Sequence, residues 1–536
     1  MIILAIFING NVITLDNNKK NAQAFKVKMG KFEAVGSQED ILNLKEVNEE
    51  IIDLQGRTVV PGFNDSHMHF LNYAVFKSRV NLSNIASIDE MIEATKNYIK
   101  ENNIKKGEWI ISRGWNHNYF SDNRLPNRYD LDRISTENPI FFSRVCGHIG
   151  VANSMALEIS GINETTQNPE GGVIDKKNSV PTGILRENAM NFVFNKIPAM
   201  TKDEIKKVLK SAFSDALKCG LTTIHSEDMG TAGDLKTLIE AYKELDNEKE
   251  LPLRFVLQLN LMNKKAVAEA KSIGIRTGEL SAMLKIGVMK IYQDGSLGGR
   301  TAAMEEMYED TESNGVIIYT QEELDDLVLS GHEAGFQIAI HAIGDKAIKM
   351  ILNSYEKLQI AYPNADLRPI IIHCQFTNKK LLEKFKKLNV ISNVQPSFVM
   401  TDWPIVEKAV GRKRAYESYN WKTMLNLGLK VSFSSDAPIE SFNPLYGVYA
   451  AVTRKNLSGE PEAGWYSNQS LTVEEALKCF TLGSAYMNFE ENYKGSIEKG
   501  NLADFVVLSE NILQIDNNSI KDINVLASYV GGKRVY

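Results

Sequence analysis

From Val59 to about residue 485 the sequence alternates short apolar runs, rich in β-branched residues, with longer stretches whose apolar positions recur at i, i+3 and i+4. The clearest helical stretch is Lys202–Cys219. Its Ile205, Val208, Leu209, Ala212, Phe213, Ala216 and Leu217 fall on one face, Thr201 is a fitting N-cap and Gly220 a stop. Strands are expected at Val59–His69, Leu221–His225, Leu253–Asn260, Met283–Tyr292, Gln337–His341, Pro369–His373, Val390–Val394 and Lys430–Ser434. Helical patterns such as Glu322–Ala334 and Lys346–Leu358 separate them. Eight strand–helix units are what a (β/α)8 TIM-like barrel requires, and its active site would lie where the strands end.

The flanks read differently. Residues 2–8 and 11–15 are β-rich and flank Asn9–Gly10, a hairpin signal. Short β runs follow at Ala24–Lys28, Lys31–Val35 and Glu50–Asp53, and recur near the other end at Asp504–Leu508 and Val525–Val530. The expectation is one composite β-sandwich domain from both termini, residues 1–57 and 486–536; two independent caps are the alternative. Residues 58–72 and 201–485 would then be the barrel. The stretch 73–200 is too long for one crossover and reads as an α+β insertion after strand 1, placed to cover the barrel mouth.

Composition narrows the partners. A formal net charge of −6 without basic blocks argues against nucleic acid or an anionic membrane, and no apolar run approaches the roughly 20 residues of a membrane span. The four cysteines are scattered without a Cys-x-x-Cys pair, so a reducing compartment and a cytoplasmic location are expected. The apolar start lacks the basic region and cleavage site of a secretion signal and reads as a first strand. A small-molecule substrate is the expected partner; the oligomeric state is open, with a homodimer compatible.

Chemistry-bearing residues gather at the strand ends. His67 and His69 share one face at the end of the first strand, and two imidazoles so placed suggest half of a metal site. His341 and His373 close two later strands, Asp436 follows another, and Lys290 lies inside Met283–Tyr292. Imidazole and carboxylate suit zinc or another divalent ion, which would activate water and polarise a carbonyl, while Asp436 takes the water's proton and returns it to a leaving amine. Lys290 cannot ligate as an ammonium. Reaction with carbon dioxide would make it a carbamate bridging two ions; an ion pair with Asp294 is the alternative.

At this point the chain resembles the amidohydrolase superfamily, in the branch that contains N-substituted formamide deformylase. The resemblance rests on PGFNDSHMH, RGWNHNYF, LDRISTENPIFFSRVCGHIGVANSMAL, GILRENAM, KIYQDGSLGGRTA, IAIHAIGD, IIHCQ, SSDAP, LTVEEALKCFTLGSA and KGSIEKGNLADFVVL, which span nearly the whole chain. It implies that His67 and His69 hold the more buried ion and Lys290 is the carboxylated bridge. His341 and His373 would bind a second ion, and Asp436 would be the catalytic carboxylate, touching the first. Where the bridge is missing in related proteins one ion suffices, so the count is one or two. Substrate-binding candidates are His148, Glu187 and Trp115 in the insertion, His225 at the end of the second strand, and Asp294 and Arg300 after Lys290. His332 falls on a helical pattern and reads as a surface residue.

The expected activity is hydrolysis of a C–N bond other than a peptide bond, in an amide, formamide or cyclic amide, by metal-activated water. The rivals are an esterase or lactonase on the same site, a non-catalytic binding protein on a decayed barrel, and an isomerase or lyase.

Overall fold

The computed structural model describes residues 4–47 and 49–536. The opening of the expected first strand, residues 2–3, lies outside them. The chain divides into two compact units, residues 1–72 with 205–536 and residues 73–204.

The larger unit is built on eight parallel strands: β1 Phe63–Met68, β2 Leu221–Glu227, β3 Arg254–Asn260, β4 Leu284–Tyr292, β5 Ile338–Ala342, β6 Ile370–His373, β7 Ile391–Val394 and β8 Val431–Phe433. Each pairs in parallel with its neighbours in chain order, so the sheet curls into a nearly closed barrel. The remaining seam is bridged beyond β8, where Asp436 N–H donates to His67 O (2.9 Å) and His69 N–H to Ala437 O (2.7 Å). Closure is therefore made by the residues of the candidate site. The helices between strands start at local signals: Thr320 and Glu323 form a capping box for Gln321–Glu333, and Asn378 caps Lys379–Lys387. The floor is closed by the Ser484–Met487 segment, which the Gln337 side chain grips by donating to Met487 O (2.9 Å).

The stretch 59–69 is not one strand. Thr58–Pro61 belongs to another sheet, and the chain turns at Gly62 before β1. Glycine is required there, because a Cβ would lie 2.2 Å from Thr222 Oγ1. The expected hairpin at Asn9–Gly10 is also absent. Leu4–Ile8 pairs with Ala24–Lys28 and Glu50–Asp53, whereas Asn11–Ile13 pairs with Asn21–Ala22 and Thr58–Pro61 in the other sheet. Asn9, at φ 53°, carries the chain from one sheet to the other instead of folding it back.

Those two sheets, of four and six strands, face each other across one core. Strands from both chain ends contribute: Phe505–Leu508 pairs with Thr58–Pro61, and Phe505 stacks on Tyr529 (4.4 Å between ring centres) while meeting Phe7 edge-on (5.1 Å). Each such aromatic removes an apolar surface worth about 1.5–3 kcal/mol from water. Neither terminus supplies this core alone.

The second unit carries a five-stranded sheet in the order Gly172–Lys177, Val180–Glu187, Ile149–Ala152, Ile140–Arg144, Ile110–Trp115, flanked by short helices. Its core gathers Trp115, Phe120, Ile140 and Phe142 with the Ile88–Glu101 helix. Among the described residues no helix is long and apolar enough to cross a membrane.

Candidate metal centre

In a parallel barrel every strand ends at the same rim, so residues far apart in sequence meet there. His67 and His69 come from the end of β1, Glu227 from β2, Lys290 and Tyr292 from β4, His341 from β5, His373 from β6 and Asp436 from the turn after β8. His373 and Asp436 hold φ at 81° and 59°, a region costly for non-glycine residues and common where side chains must be aimed.

The donors converge. Ligand atoms of His67, His69 and Asp436 lie within 4.8 Å of one another. Asp436 Oδ1 is 3.3 Å from His67 Nε2 and 3.2 Å from His69 Nε2, and Lys290 Nζ is 3.3 Å from His67 Nε2. The His341 and His373 rings are 4.4 Å apart, and His373 is 6.1 Å from His67. All six residues singled out in the sequence thus occupy one contiguous patch.

The electrostatics fit a cation at the meeting point. Burial works against charge on Asp436, yet its close contacts with the His67 and His69 rings hold its carboxyl well below the usual range. Burial also works against a charged His69, but Asp436 and Glu227 hold its imidazole up at about 10. Burial, with Lys290 close by, pushes His67 down to about 4 and keeps it a neutral donor. Burial lowers Lys290 itself to about 8, which makes its free amine accessible near neutral pH. Two imidazoles and one carboxylate on a common point, with a nearby amine able to lose its proton, are the donor set of a divalent metal.

A further ring of acceptors orients the imidazoles. His67 Nδ1 faces Gln258 Oε1 (2.6 Å) and His373 Nδ1 faces Gln395 Oε1 (2.8 Å). His69 Nδ1 faces the backbone oxygen of Glu227 (2.9 Å) and its carboxylate Oε2 (3.2 Å). These contacts leave Nε2 of each ring toward the centre. His341 is turned the other way, its Nε2 lying 3.1 Å from Gly295 O.

The remaining sequence candidates make other contacts. His225 does not end β2: the strand continues to Glu227, and His225 sits a layer deeper, buried, with its Nε2 unpartnered among the described residues. Burial pushes its imidazole down to about 3, so it is neutral. Trp115 is fully buried in its own unit with its indole N–H on Phe142 O (3.1 Å), a core residue with no face for substrate. Asp294 accepts from the backbone N–H groups of Ile343, Gly344 and Ala303 (3.1, 2.8 and 2.9 Å) and lies 3.3 Å from His341 Nε2. It ties the loops after β4 and β5 together and is not paired with Lys290. Arg300 spends Nε and Nη2 on Asp310 (2.9 and 2.7 Å) and Nη1 on Leu297 O. His148 and Glu187 are exposed and joined by a 2.8 Å hydrogen bond.

Sequence reasoning missed Glu227, Gln258 and Gln395. The only local signal each carries is being a polar residue within or just beyond an apolar run. Two open cavities of about 520 and 530 Å³ lie inside the second unit, lined by residues such as Arg128, Glu158, Tyr129 and Lys177, and none of the metal candidates lines either.

Comparison with known proteins adds three findings. The model of the amidohydrolase family matches residues 50–536. The putative amidohydrolase YtcJ of Bacillus subtilis is 33% identical, covering 99% of this chain and 99% of its own, and the N-substituted formamide deformylase of Arthrobacter pascens is 28% identical, covering 98% and 97%. An uncharacterised metal-dependent hydrolase from Pyrococcus furiosus superposes with a TM-score of 0.80 at 27% identity, over 95% of this chain and 100% of its own.

Proposed function

Because the chain belongs to the amidohydrolase family, we propose that it hydrolyses a C–N bond other than a peptide bond in a small amide, formamide or cyclic amide. The observation that carries this reading is the convergence of His67, His69 and Asp436 on one point at the end of a parallel barrel. The relative named for deformylation of N-substituted formamides supports the C–N assignment. His67 and His69 would hold a divalent metal, zinc by donor chemistry, with Asp436 beside it; His341 and His373, with Lys290 once carboxylated, would hold a second ion where two bind. Such an ion supplies Lewis acidity, lowering the pKa of water and polarising a carbonyl oxygen.

The chain's own residues then do the following. Asp436, ionised at neutral pH, accepts a proton from the attacking water at Oδ1 or Oδ2. The same carboxyl returns that proton to the departing nitrogen, which an amide needs and an ester needs far less. His69 and His67 keep the carboxylate aimed through the 3.2 and 3.3 Å contacts. The backbone hydrogen bonds of Asp436 and His69 across the seam fix both side chains to the barrel wall.

The test is a hydrolysis panel of N-formyl, N-acyl, ureido and cyclic amide compounds beside esters and lactones, run on protein purified without chelator and assayed for metal. Turnover of an amide class with bound divalent metal is the expected result. Ester or lactone turnover alone would replace the C–N assignment. Protein that takes up no metal, even with zinc and bicarbonate supplied, would overturn the metal-dependent reading.

A further inference from the structure

Glu227 stands at the end of β2, buried, and nothing in the sequence motifs marks it. Along β2, Thr223, His225 and Glu227 share the inward face, and Glu227 is the member that reaches the rim. Its Oε2 is 3.2 Å from His69 Nδ1 and accepts from the Tyr292 hydroxyl at 3.1 Å. Its Oε1 is buried and has no partner among the described residues.

These contacts do not in themselves require a carboxylate. The amide oxygen of a glutamine would accept from Tyr292 and from His69 equally well, and the backbone oxygen of Glu227 already lies 2.9 Å from His69 Nδ1. A carboxylate adds charge, at the cost of one buried oxygen left without a donor. The two comparable imidazoles are backed by neutral glutamines, Gln258 behind His67 and Gln395 behind His373. His69 alone of these three has an anion behind it. An anion accepting from Nδ1–H fixes the tautomer and raises the basicity of Nε2, the nitrogen that faces Asp436 at 3.2 Å.

Resting on the metal-binding reading above, we propose that Glu227 is the positioning residue of His69: its charge, held in place by Tyr292, makes His69 the strongest imidazole donor of the centre. The residue acts through His69 and touches neither ion nor substrate.

Zinc affinity, measured by competition with a chromophoric chelator, separates this from a packing role. Glu227→Gln keeps shape and acceptors and should bind zinc about 10–100-fold more weakly with an unchanged circular dichroism spectrum. Glu227→Asp should recover part of the loss. Tyr292→Phe, which removes one hydroxyl, should weaken binding by a factor of about 2–10, and decides the matter if the glutamine variant is poorly folded. Affinities of Glu227→Gln and Tyr292→Phe within about twofold of the unaltered protein would overturn the inference and leave the metal reading intact. Failure of the unaltered protein to bind zinc would overturn both.

Discussion

A buried ion pair helps tie the barrel to the two-ended β structure, and its removal gives a quantitative test of that architecture. Arg254 at the start of β3 meets Asp504, just before Phe505–Leu508, through Nε–Oδ2 at 2.7 Å and Nη2–Oδ1 at 2.9 Å. Both residues are nearly inaccessible, at 7% and 6% exposure, and Asp504 Oδ1 also accepts from Gly531 N–H (2.7 Å). Burial pushes the Asp504 carboxyl up, but Arg254 more than compensates and holds it below the usual range. Asp504→Asn preserves volume and one acceptor while leaving a buried guanidinium without its anion, which costs about 3–5 kcal/mol. If that strand opens locally, exchange of its amides should accelerate by about 10²–10⁴-fold. Hydrogen exchange read by mass spectrometry on peptides covering 505–508 and 525–530 measures this, with the β5 peptide 338–342 as the internal reference expected to stay protected. The double variant Arg254→Met/Asp504→Leu should recover most of the loss, because an apolar pair needs no desolvation of charge. Acceleration below about tenfold in Asp504→Asn would refute the reasoning, since the pair would then hold nothing that a hydrogen bond does not.

Other consequences are checked more simply. Asp436→Asn should retain the fold and lower kcat by about 10²–10⁴-fold on any substrate found, because the proton acceptor is lost while the seam hydrogen bonds, made by backbone, survive. His332→Ala, on a helix where His332 packs against Tyr362, should leave metal content and turnover unchanged. Glu490 has a pH consequence: burial pushes its carboxyl up, but Lys494 and Lys285 hold it down at about 2 against 4.5 unperturbed. A depressed folded-state pKa means stability present above pH 4.5 and lost as pH falls toward 2, on the order of 3 kcal/mol in all. Urea midpoints should therefore fall more steeply over that interval for the unaltered protein than for Glu490→Gln; parallel slopes would contradict it. Gly62→Ala should destabilise both sheets that meet at the turn, visible as a lowered Tm, because its Cβ would collide with Thr222 Oγ1 at 2.2 Å.

By itself the sequence determined the eight strand–helix units, within a residue or two for β3 to β8, since alternating buried runs and helical faces are set by which side chains must leave water. It also determined which side chains gather: His67, His69, Lys290, His341, His373 and Asp436 all reach the rim, because a parallel barrel sends every strand end to one place. Tertiary structure alone decided where strands change partners. The Asn9–Gly10 hairpin signal is local, but Leu4–Ile8 and Asn11–Ile13 gain more by joining two different sheets, and Gly62 breaks the first strand because Thr222 comes close from another part of the chain. Glu227, Gln258 and Gln395 were invisible for the same reason. Their importance lies in facing an imidazole contributed by a different strand; Trp115 and Asp294 likewise took on packing or loop-tying contacts with other strands and loops, while Arg300 is spent locally on Asp310. Local periodicity encodes which way a side chain points; what it meets there is a property of the closed barrel.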